Sequence, residues 1–298
     1  MRSACFAIAF CCMGSAHAAE CAPLGLDRDG LLELREGGFV IADPAARRTF
    51  ALDLAACLAS PDPVLRDKIA YEGFSALLRG DQLETDTIRS LSDQLMGVLS
   101  APADAAGFEK PFAALVLSEI ARTDRFGDTM TPDGLDALVA AAAGYLLGIT
   151  DYRGYDETDG WRHGVAHGAD FAMQLALNDK LTSDQLHRLA AAIAAQTVPD
   201  DAHFYIYGEP GRLARPILFM SARNDRDDAY WSDWWAQLTA SAAPSNGWDT
   251  AYESQAGLAA LHNLRAFAQA VYINASLSQN EGIRALLPGA EATLRALP

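Results

Sequence analysis

Cations are scarce in this chain of 298 residues: 23 Lys and Arg stand against 39 Asp and Glu, a formal charge of −16. A surface of that sign repels phosphate backbones and anionic bilayers, which argues against nucleic acid as a partner. Long apolar runs are missing too. The longest near the start, Ala4 to Met13, is too short to span a bilayer, so no membrane span is expected. No glycine-rich phosphate loop, Gly-x-Ser-x-Gly elbow or Cys-x-x-Cys pair occurs, and the enzyme classes that depend on them lose support. Sustained alternation of apolar and polar residues is absent as well, which removes the basis for a sheet.

What is present begins with a leader-like start. "MRSACFAIAFCCMGSAHAAE" combines Arg2, a short apolar run and small residues at Ala16 and Ala18, the pattern of a secretory signal peptide cleaved after Ala18. The expected organisation is a signal over residues 1–18 and one domain over 19–298, periplasmic or secreted. Loss of Arg2 takes the formal charge from −16 to −17. Of the five cysteines only Cys21 and Cys57 remain, an even count in an oxidising compartment, and a bridge between them is expected.

From Thr49 onward apolar residues return every three or four positions, and short turns rich in Gly, Pro, Asp and Asn interrupt them. Helix starts are legible in "DPVLRDKIAYEGFSALLRG" and in Thr131 followed by Pro132, a cap residue with proline in the first turn. Starts recur roughly every 20 residues, the spacing of helical repeat arrays, although no sequence repeat is visible. The expected fold is all-α: antiparallel helix pairs in a HEAT-like α-α superhelix, with a closed α/α ring as the alternative. The aromatic run "YWSDWWAQL" places Trp231, Trp234 and Trp235 on a packing face, with Leu238 one turn on, and is read as core.

The chemistry concentrates in "DYRGYDETDGWRHGVAHGADF", residues 151–171. A helix beginning near Asp159 or Gly160 would set His163, His167 and Asp170 at i, i+4 and i+7 on one face. Gly164, Gly168, Ala166 and Ala169 leave that face uncrowded, and Trp161 is read as a core anchor. Two imidazoles four apart can share a divalent metal with Asp170 as third ligand. Alternatively Asp170 can orient His167 for proton transfer. A plainer role has the histidines hydrogen-bonding Asp156, Asp159 or backbone carbonyls, with Arg153 paired to Asp151 or Asp156. Downstream, Glu209 precedes a helix expected near Gly211, where its carboxylate could cap the helix or reach Arg212. His262 is expected to point inward.

These two segments together resemble a bacterial domain-of-unknown-function family, number 2785. Its pattern joins Arg-Gly-Tyr and Gly-Trp-x-His-x-x-x-His-x-x-Asp to a later Glu-x-x-Arg-Leu, matched here by Arg153, Gly154, Tyr155, Gly160, Trp161, His163, His167, Asp170, Glu209, Arg212 and Leu213. The resemblance spans about Asp62 to Leu297. It implies a helical superhelix and carries no established activity. The candidate site is therefore His163, His167, Asp170, Glu209 and Arg212. It would serve either to bind a small molecule or protein or, alternatively, as a hydrolase centre with His163, His167 and Asp170 as metal ligands. No cofactor other than that possible divalent metal is implied.

Overall fold

Short polar side chains set the helix starts. Asp27 accepts from the Gly30 amide at 3.0 Å and opens α1 (Arg28–Glu36). Asp43 does the same for α2 (Pro44–Asp53), where Pro44 occupies the first turn. Both begin before Thr49, where the apolar periodicity first becomes regular. The computed structural model describes residues 21–200, 202–224 and 226–298; the expected signal peptide lies outside them. The chain tightens into a 3₁₀ helix over Leu54–Ala59 and widens into a π-helix over Val64–Tyr71. Asp62 accepts from the Val64 amide at 2.8 Å ahead of that turn. Cys21 and Cys57 are joined by a disulfide that ties the first described residue to the 3₁₀ segment.

Then follow α3 (Glu72–Arg79), α4 (Thr85–Ser100), α5 (Glu109–Gly127) and α6 (Pro132–Leu147). Thr131 caps α6 through the Gly134 amide at 3.1 Å. After a hairpin come α7 (Gly164–Ala176), α8 (Ser183–Thr197), α9 (Glu209–Ala222), α10 (Asp228–Ser241) and α11 (Gln255–Leu277). The terminal segment, which reads as one helix, is split into α12 (Glu281–Arg284) and α13 (Leu287–Ala296). Pro288 sits in the first turn of α13 and has no N–H for a continuous ladder.

Packing runs in two layers. In one, α4 lies against α6 and α6 against α8; in the other, α5 packs on α7, α7 on α9 and α9 on α11. Successive antiparallel pairs bury alanine and leucine stripes between neighbours, the HEAT-like arrangement. Among the described residues the first elements do not pack extensively on the last, so the array does not close into a ring. Trp231, Trp234 and Trp235 are buried in the core, and Trp234 and Trp235 meet Phe267 of α11. No described helix is long and apolar enough to cross a membrane.

Candidate functional site

The helix carrying the histidines begins later than its spacing suggests. Tyr155–Asp156 (β1) and Gly160–Trp161 (β2) form a two-stranded antiparallel hairpin in which Tyr155 faces Trp161. Asp156 closes its turn by accepting from the Thr158 and Asp159 amides at 2.8 and 3.0 Å. The ladder continues through Arg162 N–H to the Gly154 carbonyl, 3.0 Å, and His163 N–H to the Arg153 carbonyl, 3.3 Å. His163 then turns into the left-handed region, φ +55°, as the N-cap of α7. That conformation costs a non-glycine residue roughly 1 to 2 kcal/mol, and the two strands hold it there.

Two arginines fasten this hairpin to the start of α5. Arg66, fully buried, lies 4.1 Å from the Phe108 ring centroid and donates to the Asp159 carbonyl at 2.8 Å. Arg162 lies 4.2 Å from the same ring and donates to the Ala106 carbonyl at 2.7 Å. No local signal marks Arg66 for this role, since its partner is 93 residues away.

The structure brings His163, His167, Asp170 and Arg212 together, with Glu209 beside His163. His167 Nδ1 lies 3.1 Å from the Pro111 carbonyl, and its ring meets the edge of Phe112. A carbonyl only accepts, so Nδ1 carries the proton and Nε2 keeps the lone pair. Burial pushes its pKa down to about 3, helped by the charges of His163 and Arg212. It is neutral at physiological pH. Asp170 does not orient it. Its carboxylate is forked by Arg212 of α9, with Nε to Oδ1 at 3.1 Å and a second, short contact from Nη2 to Oδ2. Burial raises the Asp170 pKa while Arg212 opposes the rise.

A parallel fork stands one pair earlier. Arg79 of α3 grips Glu119 of α5 at 2.8 and 2.5 Å, and the Tyr71 hydroxyl reaches the same carboxylate at 3.4 Å. One helix layer is thus laced by Arg79 to Glu119, His167 to Pro111 and Arg212 to Asp170.

Glu209 does not pair with Arg212. It is the first residue of α9, 3% exposed, and accepts from the Tyr207 amide at 2.9 Å. This fixes the Tyr207 ring under the hairpin, where it occupies the space of a side chain at Gly154: a Cβ there would stand 2.1 Å from the ring. The glycines and alanines of α7 likewise leave no room. A Cβ on Gly168 would meet Leu146 at 2.8 Å and one on Gly164 the Tyr145 hydroxyl at 3.0 Å, so they admit α6 rather than a ligand.

Trp161 is not a core anchor. It is 39% exposed, stacked on His163 at 4.6 Å between centroids with 26° between planes, and Tyr155 and Tyr207 flank it. Its place in a hairpin rather than a helix turns it outward. Burial lowers the His163 pKa and Glu209 opposes that fall. The Nε2 of His163 is buried without a hydrogen-bond partner, and its ring centroid is 5.9 Å from that of His167. An open groove of about 600 Å³ lies beside this stripe, lined by Arg153, Tyr155, Arg162, His203 and Tyr207. Arg153 pairs with Asp151, not Asp156. His262 is exposed, although its Nε2 reaches the Tyr205 carbonyl at 3.0 Å.

Fold and site together define a helical-array protein whose helix layers are joined by buried charged and polar contacts. Residues 95–273 match the family described as "Protein of unknown function (DUF2785)", well over half of the chain, and the chain belongs to that family. The matched region runs from within α4 to within α11 and contains every candidate site residue. No curated protein and no solved structure matches.

Proposed function

We propose that this is an exported protein, periplasmic or secreted, with residues 1–18 as a removed signal and 19–298 as one domain. In this reading it binds a small molecule or protein partner and does not turn over a substrate. The observation that carries it is the commitment of the strong polar groups in the signature: Asp170 to Arg212, His167 Nδ1 to the Pro111 carbonyl and Glu209 to the Tyr207 amide. These contacts join α5, α7 and α9 and hold Trp161, Tyr155 and Tyr207 as a rigid, partly exposed aromatic face. Such a face binds at low entropic cost, because its rings are ordered before the partner arrives. The disulfide fits an oxidising compartment, and the acidic surface disfavours nucleic acid.

A second reading, a hydrolase with a divalent metal, draws on one feature: His163 Nε2 is unpartnered and His167 Nε2 keeps its lone pair, with the rings adjacent. Asp170, the third ligand this reading needs, is held by Arg212, and among the described residues no three His, Cys, Asp or Glu side chains form a metal-holding group. Thermal-shift screening of metabolites and short peptides against wild type and Trp161→Ala separates the readings. Binding predicts ligands that stabilise wild type and lose their effect in the variant. A turnover that His167→Ala abolishes without unfolding the chain would overturn it.

A further inference from the structure

The other helix layer holds a cavity that the signature residues do not explain. Helices α8 and α10 run in the same direction and are tied together in their N-terminal halves. There His187 Nδ1 meets the Tyr230 hydroxyl at 3.1 Å, and the Trp234 indole N–H donates to the Ala190 carbonyl at 3.3 Å. Beyond those ties the α8 stripe is Ala191, Ala194 and Ala195, facing Gln237, Leu238 and Ser241 of α10. Methyl groups are too short to fill the gap. The result is a cavity of about 750 Å³, within the range of small-molecule sites, with an apolar floor and a few amide and hydroxyl groups.

Its charge is one-sided. Among the lining residues there is no Lys or Arg, and the single carboxylate is Asp200, just past the end of α8. The C-terminal ends of three helices converge on the same opening: Leu147 closes α6, Val198 follows α8, and Ser241 closes α10. Each helix C-terminus carries a partial negative charge from its aligned peptide dipoles, tempered here where Gln196 donates to the Leu146 carbonyl and Trp248 to the Thr239 carbonyl. All three fields and Asp200 therefore favour a cation at the mouth, and the chain's charge of −16 adds to them.

We propose that this cavity is a second binding site, separate from the His163 cluster, for an elongated apolar ammonium compound. The tail lies on the alanine floor against Trp234 and Leu238, and the ammonium group sits at the mouth beside Asp200. Anionic amphiphiles of the same length bind more weakly, because the converging helix ends and Asp200 disfavour a negative head group.

The probe is dodecyltrimethylammonium, kept below its micelle threshold and titrated calorimetrically into the full chain, with dodecanoate as the matched anion. The expected result is saturable binding of one cation per chain, at least about fivefold tighter than dodecanoate, with a change in tryptophan emission from Trp234. Ala195→Trp, which fills the cavity from an exposed position, abolishes the saturable site and leaves the melting temperature near that of wild type. Ala191→Phe, also at an exposed position, gives the same result should Ala195→Trp fold poorly. Equal affinity for the two amphiphiles would overturn the proposal. So would cation binding that persists unchanged in both variants, which marks adhesion to an acidic surface.

Discussion

Lowering the pH from 7.5 to 5.5 should weaken this protein through His167. An ordinary imidazole has a pKa of 6.5, and in the fold His167 is pushed down to about 3. The unfolded chain therefore takes up a proton between pH 7.5 and 5.5 that the folded chain refuses. Stability from this group is fully present above 6.5 and is lost as the pH falls toward the folded value. At pH 5.5 the unfolded imidazole is about ten-to-one protonated, so the loss is about RT ln 11, or about 1.4 kcal/mol; at pH 7.5 it is under about 0.1 kcal/mol. His163 is lowered too and adds in the same sense. The raised carboxyl of Asp170 works oppositely. Comparison with His167→Gln removes both, because glutamine stays neutral and can still donate to the Pro111 carbonyl. Urea unfolding at the two pH values should show wild type losing about 1.4 kcal/mol more than the variant. Equal losses, or a wild type that gains stability at pH 5.5, would refute the assignment of His167 as a buried neutral joint.

Two further variants probe the packing around it. Arg212→Met leaves the Asp170 carboxylate, whose side chain is only 12% exposed, without its partner. We expect a loss of about 2 to 3 kcal/mol in urea unfolding, with Asp170→Asn added on top recovering part of it. Gly154→Ala forces the Tyr207 ring out of the space it fills under the hairpin. That should cost about 1 to 3 kcal/mol, and a double-mutant cycle with Tyr207→Ala should show most of the cost disappearing once the ring is gone.

How far the sequence carried the fold follows from where its signals reside. Thr131 with Pro132 states a helix start within two residues, and the structure begins α6 there. The start of α7 is not stated locally. His163 is turned to φ +55° by two amide contacts to Arg153 and Gly154, which exist only once the hairpin has paired. Reading a helix from Gly160 therefore placed Trp161 inward, whereas the strand turns it to solvent. Gly164 and Gly168 read as an uncrowded face, and Tyr145 and Leu146 of α6 fill that space from another helix. The same limit applies to Asp170. Its proximity to His167 along the helix suggested one partner, and Arg212, 42 residues on, is the other. Contacts that join layers are set by tertiary packing, and the local pattern holds only their ends.

His167 on the Pro111 carbonyl and Arg212 on Asp170 make a hydrogen-bonded joint between α5, α7 and α9. Thermal unfolding of tag-free wild type and His167→Ala, each with and without a strong chelator, tests this most directly. The joint predicts that His167→Ala costs about 1 to 3 kcal/mol and that chelator changes neither protein. A wild type that falls to the level of His167→Ala when chelator is added would contradict it and place a metal between the two imidazoles.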